Sequence, residues 1–257
     1  MWDPVSKDPL WLIGHVGCRG MVSPGLGDMD NWFALISLET QLSPEAAYAL
    51  HTDGFIVMPG PVPAESLAEL AHLYDEAVSG ASPDDIKVGS TTTRVRDFVN
   101  RDADFDKLYL YPPILQACCR VIEQPFKLST MHARTLRPRT PAERLHVDFP
   151  SDVQGWPMVG FILMIDDFTP ENGAPCFLRG SQGMAAPPAS SSLVPACGPS
   201  GSVIVFNGSV WHGHGPNHTD TPRRPIQGAY IRRTETSVET LPARMRPENT
   251  SSHWCAR

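Results

Sequence analysis

Two short segments of the chain carry side chains that could bind a metal. His146 and Asp148 stand one residue apart, and so do His212 and His214. Side chains alternate between the faces of a β-strand, so residues two apart project to the same side. His146 and Asp148 would then converge on one point, and either His212 or His214 would complete a set of two imidazoles and one carboxylate. Such a set leaves open positions on the ion and suits Fe(II) oxygen chemistry, whereas structural zinc sites are closed and rich in thiolates.

A pair of arginines, Arg223 and Arg224, follows the second histidine segment and precedes a predicted strand. A planar guanidinium binds a carboxylate through two parallel charge-assisted hydrogen bonds. The distal carboxylate of 2-oxoglutarate would be its natural partner, because that co-substrate chelates iron through its keto-acid end. Without histidines nearby, the same pair would be interpreted as a solvated turn.

The elements that must position these residues are mostly short strands separated by glycine- and proline-containing turns. We predict strands over residues 126–136, 145–149, 158–166, 176–178, 202–206, 209–212 and 225–232. Before them we predict helices over 44–51, 64–78 and 109–124, the last interrupted at Pro112-Pro113, and a strand over 55–58. This order indicates a mainly β fold with flanking helices, a double-stranded β-helix of the jelly-roll, cupin-like type.

Two polar segments are predicted to be irregular. Residues 79–101 are interpreted as a mobile loop, in which Arg94, Arg96 or Lys87 could meet an acidic substrate or merely face solvent. Residues 184–200 are interpreted as a linker over the mouth of the barrel. The C-terminal residues 236–257 are expected to fray or pack loosely.

Three blocks of the sequence resemble the phytanoyl-CoA dioxygenase family of Fe(II)/2-oxoglutarate-dependent oxygenases. They are Leu-His-Val-Asp at 145–148, the run from 161 to 173 that ends in Glu-Asn-Gly with Arg-Gly-Ser after it at 179–181, and His-Gly-His-Gly-Pro-Asn at 212–217 with Pro-Arg-Arg at 222–224. Residues 42–57 resemble the family's opening helix and first strand more weakly. The resemblance therefore runs from about residue 42 to about residue 233.

The resemblance implies a role for each matching residue. His146, Asp148 and His212 would ligate Fe(2+), and Arg223 would bind 2-oxoglutarate. His214 replaces the family's usual serine, so it would either donate a hydrogen bond to 2-oxoglutarate or compete as the ligand. In relatives that halogenate, a small residue replaces the aspartate. The presence of Asp148 therefore favours hydroxylation, desaturation, epoxidation or ring formation, with O2 consumed and succinate and CO2 released.

One position departs from the family's pattern near the first ligand. Glu143 stands three residues before His146, where relatives commonly have a glutamine near the co-substrate. A carboxylate there would repel an anionic ligand unless it is protonated or turned away.

Length and charge limit the remaining choices. The 257 residues are expected to form one domain, 1–257, with 1–40 as an N-terminal extension that the resemblance does not cover. The net charge of −7 argues against a nucleic-acid partner, and the apolar stretch at 159–165 is far too short to cross a bilayer. Six cysteines without metal spacing and the lack of a secretory signal indicate a cytoplasmic protein.

The partner expected from these features is a small organic molecule, apolar or a natural-product intermediate, and a homodimer is an option. A competing hypothesis is a cupin-like isomerase or hydrolase that holds zinc, manganese or nickel with the same ligands and has no need of 2-oxoglutarate. A third is a catalytically silent binding module that keeps the fold.

Overall fold

The computed structural model describes residues 31–188 and 192–237. The helices of this part are α1 (Asn31–Leu38), α2 (Pro44–Thr52), α3 (Leu67–Ser79), α4 (Asp106–Tyr109) and α5 (Pro112–Ile122), with short 3-10 turns at Ala64–Ser66, Pro83–Asp85, Phe98–Asn100 and Ala103–Phe105. The strands are β1 (Phe55–Pro59), β2 (Ile86–Val88), β3 (Thr92–Val95), β4 (Phe126–Leu136), β5 (Met158–Met164), β6 (Pro175–Phe177), β7 (Val194–Pro195), β8 (Ser202–Asn207), β9 (His212–His214) and β10 (Pro225–Arg232).

Two antiparallel sheets form the domain. The larger has seven strands in the order β1-β8-β5-β10-β4-β3-β2, and the smaller has three in the order β7-β6-β9. From β1 through β8, β5 and β10 to β4, and from β6 to β9, neighbouring strands are far apart in sequence, which is the crossing pattern of a jelly roll. The predicted mainly β, double-stranded β-helix fold is confirmed.

The larger sheet is buried on both faces, so its central strands are continuously apolar. All seven residues of β5 and all six of β8 are buried. Phe161 and Leu163 pack on one face with the helices, whereas Ile162 and Met164 pack on the other with Phe177 of the smaller sheet. We call the space between the two sheets the interior; all the candidate site residues border it or its rim.

Several predicted elements are confirmed with small shifts of their ends. Helix α2 begins after Ser43, whose side chain accepts a hydrogen bond from the amide of Ala46, as an N-cap does. Pro112 and Pro113 begin α5 rather than interrupt a longer helix, because proline lacks the amide hydrogen that the first helical turn does not use. None of the helices in the described ranges is long and apolar enough to span a bilayer.

Other predictions of local structure were wrong. The loop predicted over 79–101 contains β2 and β3, which extend the larger sheet beside β4. The strand predicted over 145–149 is an irregular segment that makes one β-bridge, at His146. Residues 209–211 form a turn, and the strand begins only at His212; the linker over 184–200 contains β7, and residues 189–191 lie outside the described part.

The two ends of the chain lie mostly outside the described residues. Of the proposed extension 1–40, only residues 31–40 can be placed, and they contain a helix that the sequence did not predict. Trp32 of this helix makes an edge-to-face contact with Phe126 at 4.9 Å, so α1 packs on the domain. The tail predicted to fray, 236–257, is described only to residue 237.

Candidate active site

One backbone bridge, between the irregular segment that contains His146 and the start of strand β9, brings the metal-ligand candidates together. The amide of His146 donates to the carbonyl of His212 at 2.9 Å, and the amide of His212 donates back at 2.9 Å. Two residues on, the amide of Asp148 donates to the carbonyl of Gly208 at 2.9 Å. These bonds hold an irregular segment in place, because buried backbone groups must find partners.

The ligand atoms of His146, Asp148 and His212 all lie within 4.8 Å of one another. Each imidazole Nε2 is 3.6 Å from a different oxygen of the Asp148 carboxylate. Each Nδ1 is bound to a backbone carbonyl, that of Arg144 at 3.0 Å and that of Val210 at 2.9 Å. A ring whose Nδ1–H donates to a carbonyl presents the lone pair of Nε2, so the tautomers assigned here are those of metal-binding histidines.

The protonation states of the three groups also fit a divalent ion. Burial alone would raise the pKa of Asp148, but its interactions with His146 and with the neighbouring His212 hold it at about 2. Burial lowers the pKa of His212, so its ring is neutral. The pKa of His146 is raised by its interaction with Asp148, so a metal ion bound by this group would have to displace a proton from His146.

An aromatic wall holds the third ligand candidate. The ring of Phe177 stacks on His212 with centroids 5.4 Å apart, and Phe206 lies against it at 4.9 Å. His212 is 6% exposed. Because its ring is enclosed by apolar side chains on one side and by Asp148 on another, it has little freedom to turn away.

The two adjacent arginines have opposite environments. Arg223 is 4% exposed, and its Nε and Nη1 atoms are buried without a hydrogen-bond partner among the described residues. Its guanidinium lies over the ring of Phe168, 4.2 Å from the centroid. Burial, and then the charge of Arg134, lower the pKa of Arg223. A guanidinium stays protonated in proteins, so Arg223 is a buried cation, and an anionic ligand would compensate its charge.

Arg224 is already matched with carboxylates. It binds Asp166 through Nη2 at 2.6 Å and through Nε at 3.1 Å, and its Nη1 donates to Asp75 of α3 at 2.7 Å. The structure therefore distinguishes two arginines that the sequence pattern could not distinguish. Arg224 joins the sheet to helix α3, whereas Arg223 keeps Nε and Nη1 donors that no described residue accepts from.

His214 lies outside the three-ligand group. Its Nδ1 donates to the carbonyl of Gly215 at 2.8 Å, and its Nε2 accepts from the hydroxyl of Thr91 at 2.9 Å. Both ring nitrogens thus have protein partners, so a hydrogen bond to 2-oxoglutarate would have to replace the one from Thr91.

The negative charge of Glu143 is neutralised by an arginine of strand β4. Arg134 of β4 binds both of its carboxylate oxygens, at 2.8 and 3.0 Å. This pairing lowers the pKa of Glu143 against the effect of its burial. The expected repulsion of an anionic ligand at this position is therefore removed by a bound cation.

Sequence reasoning missed Arg134 and His132, which project from β4 into the interior. Strand β4 was predicted, and the alternation of side chains along it would have placed His132 and Arg134 on one face. The sequence could not predict whether that face is the one toward the interior, because this depends on how β4 pairs with β3 and β10.

A jelly roll with two imidazoles and one carboxylate on one side of a point, and a buried cation beyond it, defines a mononuclear metal enzyme with open coordination positions. Comparison with known proteins gives the family. A model described as Phytanoyl-CoA dioxygenase (PhyH) matches residues 50–225. The chain belongs to this family, and it is an oxygenase of the kind that uses Fe(II), 2-oxoglutarate and O2.

Individual relatives agree with the family match. Dioxygenase trt7 of Aspergillus terreus (strain NIH 2624 / FGSC A1156) is 28% identical over 205 residues, which cover 71% of this chain and 71% of that protein. Dioxygenase FrzG of Cladobotryum sp is 28% identical over 238 residues, 81% of this chain and 74% of that protein.

Solved structures show the same fold. HygX from Streptomyces hygroscopicus, crystallised with nickel, 2-oxoglutarate and hygromycin B, superposes with a TM-score of 0.63 at 19% identity, covering 77% of this chain and 90% of that chain. SnoK, described as a non-heme alpha ketoglutarate dependent carbocyclase from nogalamycin biosynthesis, superposes with a TM-score of 0.65 at 16% identity, covering 81% of this chain and 92% of that chain.

Proposed function

We propose that this enzyme oxidises a C–H bond of a small organic substrate, by hydroxylation or a related oxidation, with release of succinate and CO2. The observation that carries the proposal is the buried guanidinium of Arg223, two of whose nitrogens have no hydrogen-bond partner among the described residues. It lies over Phe168, which packs with Phe177 in the same interior that His146, Asp148 and His212 border. An isomerase or hydrolase would need the three ligands but would have no use for this cation.

His146, Asp148 and His212 would hold Fe(II), which supplies the oxidising chemistry together with 2-oxoglutarate and O2. Their donor set fits the ion, because two imidazole Nε2 atoms and one carboxylate converge within 4.8 Å. The carbonyls of Arg144 and Val210 fix the ring orientations, and the aromatic wall excludes water from one side.

Arg223 would bind the distal carboxylate of 2-oxoglutarate, with Phe168 beneath its guanidinium. The match of a planar fork to a carboxylate would then satisfy Nε and Nη1 in a dry site, where a charge-assisted hydrogen bond is strong. We propose that His214 borders the same pocket and reaches the co-substrate if Thr91 releases it.

The retained carboxylate of Asp148 favours oxygen insertion or dehydrogenation over halogen transfer, because it occupies the position that a halide would need. The substrate would carry an apolar part, since Phe149 packs with Met158, Ala229 and Ile231 at one end of the interior. We propose a natural-product intermediate free in the cytoplasm, without nucleic acid or membrane, and a homodimer is the assembly to test by light scattering.

Anaerobic spectroscopy tests the central proposal. Adding Fe(II) and 2-oxoglutarate should produce the visible metal-to-ligand charge-transfer band of the chelated co-substrate, and admitting O2 should then yield succinate. Arg120→Gln, which removes an exposed cation of α5, should give the same band and the same succinate. Absence of both the band and the succinate with the wild-type chain would refute the proposal.

A further inference from the structure

The interior contains a polar region that the proposed metal and co-substrate roles leave unused. Arg94 of β3 pairs in register with Arg134 of β4, and Gln227 of β10 pairs with His132 of β4 on one side and with Ile162 of β5 on the other. Residues that pair directly across antiparallel strands share a face of the sheet. Ile162 packs in the interior with Phe177, so Gln227 and His132 face the interior too. Side chains alternate along β4, so Arg134 shares the face of His132. Arg94, which pairs with Arg134, therefore also faces the interior.

Arg134 has its charge matched. It forms a bidentate pair with Glu143, and its Nη1 donates to the side chain of Gln227 at 3.3 Å. This arginine is therefore a fixed part of the wall, and its positive charge is not available to another anion.

Arg94 is not matched in this way. The side chain is half-buried, and among the described residues no carboxylate forms an ion pair with it. The charges that act on its pKa are those of Arg134, Glu143 and Asp148, which places it close to the metal ligands; burial and then Arg134 lower that pKa. Arg94 is thus a second partly desolvated cation beside the reaction centre.

His132 adds an unused hydrogen-bonding group next to Arg94. Its Nε2 is buried and has no hydrogen-bond partner among the described residues. Burial, and then the charge of Arg94, lower its pKa to about 3, so the ring is neutral and offers one donor and one acceptor nitrogen. A buried polar atom without a partner calls for a ligand or an ordered water.

We infer that Arg94, with His132 beside it, binds a carboxylate of the organic substrate next to the metal. The inference rests on the proposed function, because it assumes that a divalent ion and 2-oxoglutarate occupy the interior and counts the charges that they leave unbalanced. A divalent ion, Asp148, 2-oxoglutarate and Arg223 together carry no net charge, and Arg134 is matched with Glu143. The positive charge of Arg94 therefore remains for a third molecule.

The rest of the interior indicates what the carboxylate is attached to. Ala229 and Ile231 continue the Gln227 face of β10, and they pack with Met158 and Phe149. A substrate that spans both regions would place an acidic group at Arg94 and an apolar body along this patch. The substrate class is thus an apolar monocarboxylate.

Benzoate, with benzamide as its uncharged counterpart, can probe this site. The chain is loaded with Zn(II), which is redox-inactive, and with saturating 2-oxoglutarate, and binding is followed by ligand-observed NMR. Benzoate should bind at least about tenfold more tightly than benzamide, as expected for a hydrogen bond to a charged group. Arg94→Gln should remove this preference, Arg94→Lys should retain part of it, and Arg120→Gln should leave it unchanged.

A carboxylate near Arg94 could also be that of the co-substrate, and a second titration separates the two sources. The affinity of the Zn(II)-loaded chain for 2-oxoglutarate should change less than about twofold in Arg94→Gln and fall by about thirtyfold or more in Arg223→Gln. Loss of 2-oxoglutarate binding in Arg94→Gln, with the benzoate preference intact, would overturn the inference.

Other outcomes distinguish the inference from the proposed function. Equal binding of benzoate and benzamide by a wild-type chain that binds 2-oxoglutarate would overturn the inference alone. Failure of the wild-type chain to bind 2-oxoglutarate would count against the proposed function. Thermal melting of each variant verifies that it is folded. If Arg94→Gln fails to fold, Arg94→Lys gives the decisive comparison: a preference smaller than that of wild type supports the inference, and a preference equal to that of wild type contradicts a geometrically specific arginine contact.

Discussion

The interior between the two sheets has two regions of opposite character. In the apolar region, Ile162, Ile204 and Phe206 pack against Phe177 of the smaller sheet. In the charged region, β3, β4 and β10 present the side chains of Arg94, His132, Arg134 and Gln227. The three metal-ligand candidates stand at the boundary, since His212 touches the aromatic rings and the charge of Asp148 raises the pKa values of Arg94 and His132 against the larger lowering by burial.

The difference shows how one fold divides two tasks. The apolar region fixes positions, because close-packed rings leave His212 little room to move. The charged region retains groups that have no hydrogen-bond partner within residues 31–188 and 192–237, namely Nε and Nη1 of Arg223 and Nε2 of His132. Such groups destabilise the ligand-free protein, and they are satisfied only when an anion or a hydrogen-bonding ligand arrives. A substitution in one region should therefore have effects that a substitution in the other does not.

The largest expected effect is the loss of metal binding in His212→Ala. Changing a residue that merely orients a metal ligand costs about 10- to 100-fold in affinity, so removing the ligand itself should cost more than about a hundredfold. His214→Ala is the matched control, because the two residues share strand β9 and only His212 lies in the three-ligand group. Calorimetric titration with Fe(II) under anaerobic conditions measures both. A larger loss in His214→Ala would reassign the ligand.

Exchanging the two adjacent arginines for glutamine should produce opposite results. Arg223→Gln should weaken 2-oxoglutarate binding by about 2–5 kcal/mol, the usual effect of removing one partner of a buried charge pair. It should leave the thermal stability of the ligand-free chain unchanged or higher, because it removes an unpaired buried cation. Arg224→Gln should instead lower stability by about 1–3 kcal/mol through the loss of the Asp166 and Asp75 contacts, with little effect on 2-oxoglutarate.

Isothermal titration and thermal melting of both arginine variants, each with and without 2-oxoglutarate, test this crossover. If both variants lost stability and 2-oxoglutarate affinity in parallel, the two arginines would form one structural unit, and the separation inferred from their partners would be wrong.

A single methyl group added to the apolar region should disturb the metal site indirectly. A Cβ at Gly160 would lie 2.2 Å from the ring of Phe206, which packs against His212. Gly160→Ala should therefore destabilise the chain by about 1–3 kcal/mol, as overpacking does, and should weaken metal binding as His212 shifts. Gly183→Ala is the control, because a Cβ there meets no atom within 4 Å. Unfolding by urea and metal titration give the two readouts; normal metal affinity in a destabilised Gly160→Ala would show that the wall does not hold the ligand.

The sequence predicted the apolar region more completely than the charged one. Runs such as 202–206 and 158–166 are apolar throughout, and burial on both faces of a central strand requires such a run. Strands β2 and β3 were missed because they are short, lie at the sheet edge and stand in a polar segment, where pairing with each other and of β3 with β4, rather than composition, makes them strands. The alternation rule did predict that His146 and Asp148 converge, although the segment is not a strand.

Long-range pairing accounts for what could not be predicted. The choice between His212 and His214 depends on which residue bridges His146, and the difference between Arg223 and Arg224 depends on where Asp166 and Asp75 lie. Neither distance is encoded locally. The roles assigned to these residues from the resemblance stay predictions that the variants above test.

Metal affinity should depend on pH through one ligand. The pKa of His146 is raised by its interaction with Asp148, so the protonated ring stabilises the metal-free fold; this stabilisation is present below the ordinary imidazole pKa and is lost as pH rises through the raised value. The metal competes with this proton, so its affinity should fall about tenfold per pH unit below that value. His212 is already neutral because burial lowers its pKa. Competition with a chelator across pH should give one proton released per ion, whereas two would show that His212 also titrates.

The smallest expected effect concerns the hydrogen bond between Thr91 and His214, which ties the β2–β3 turn to the smaller sheet. Thr91→Val keeps the shape and removes the hydroxyl, so it should cost about 0.5–1.5 kcal/mol of stability. If His214 reaches 2-oxoglutarate when Thr91 releases it, Thr91→Val should also strengthen co-substrate binding, because the ring no longer has to exchange partners, and His214→Ser should weaken it. A double-mutant cycle measured by titration with 2-oxoglutarate would then show non-additive effects. Additive effects, with Thr91→Val neutral for binding, would instead make His214 a support for the turn beside the charged region and leave Arg223 as the anchor of the co-substrate.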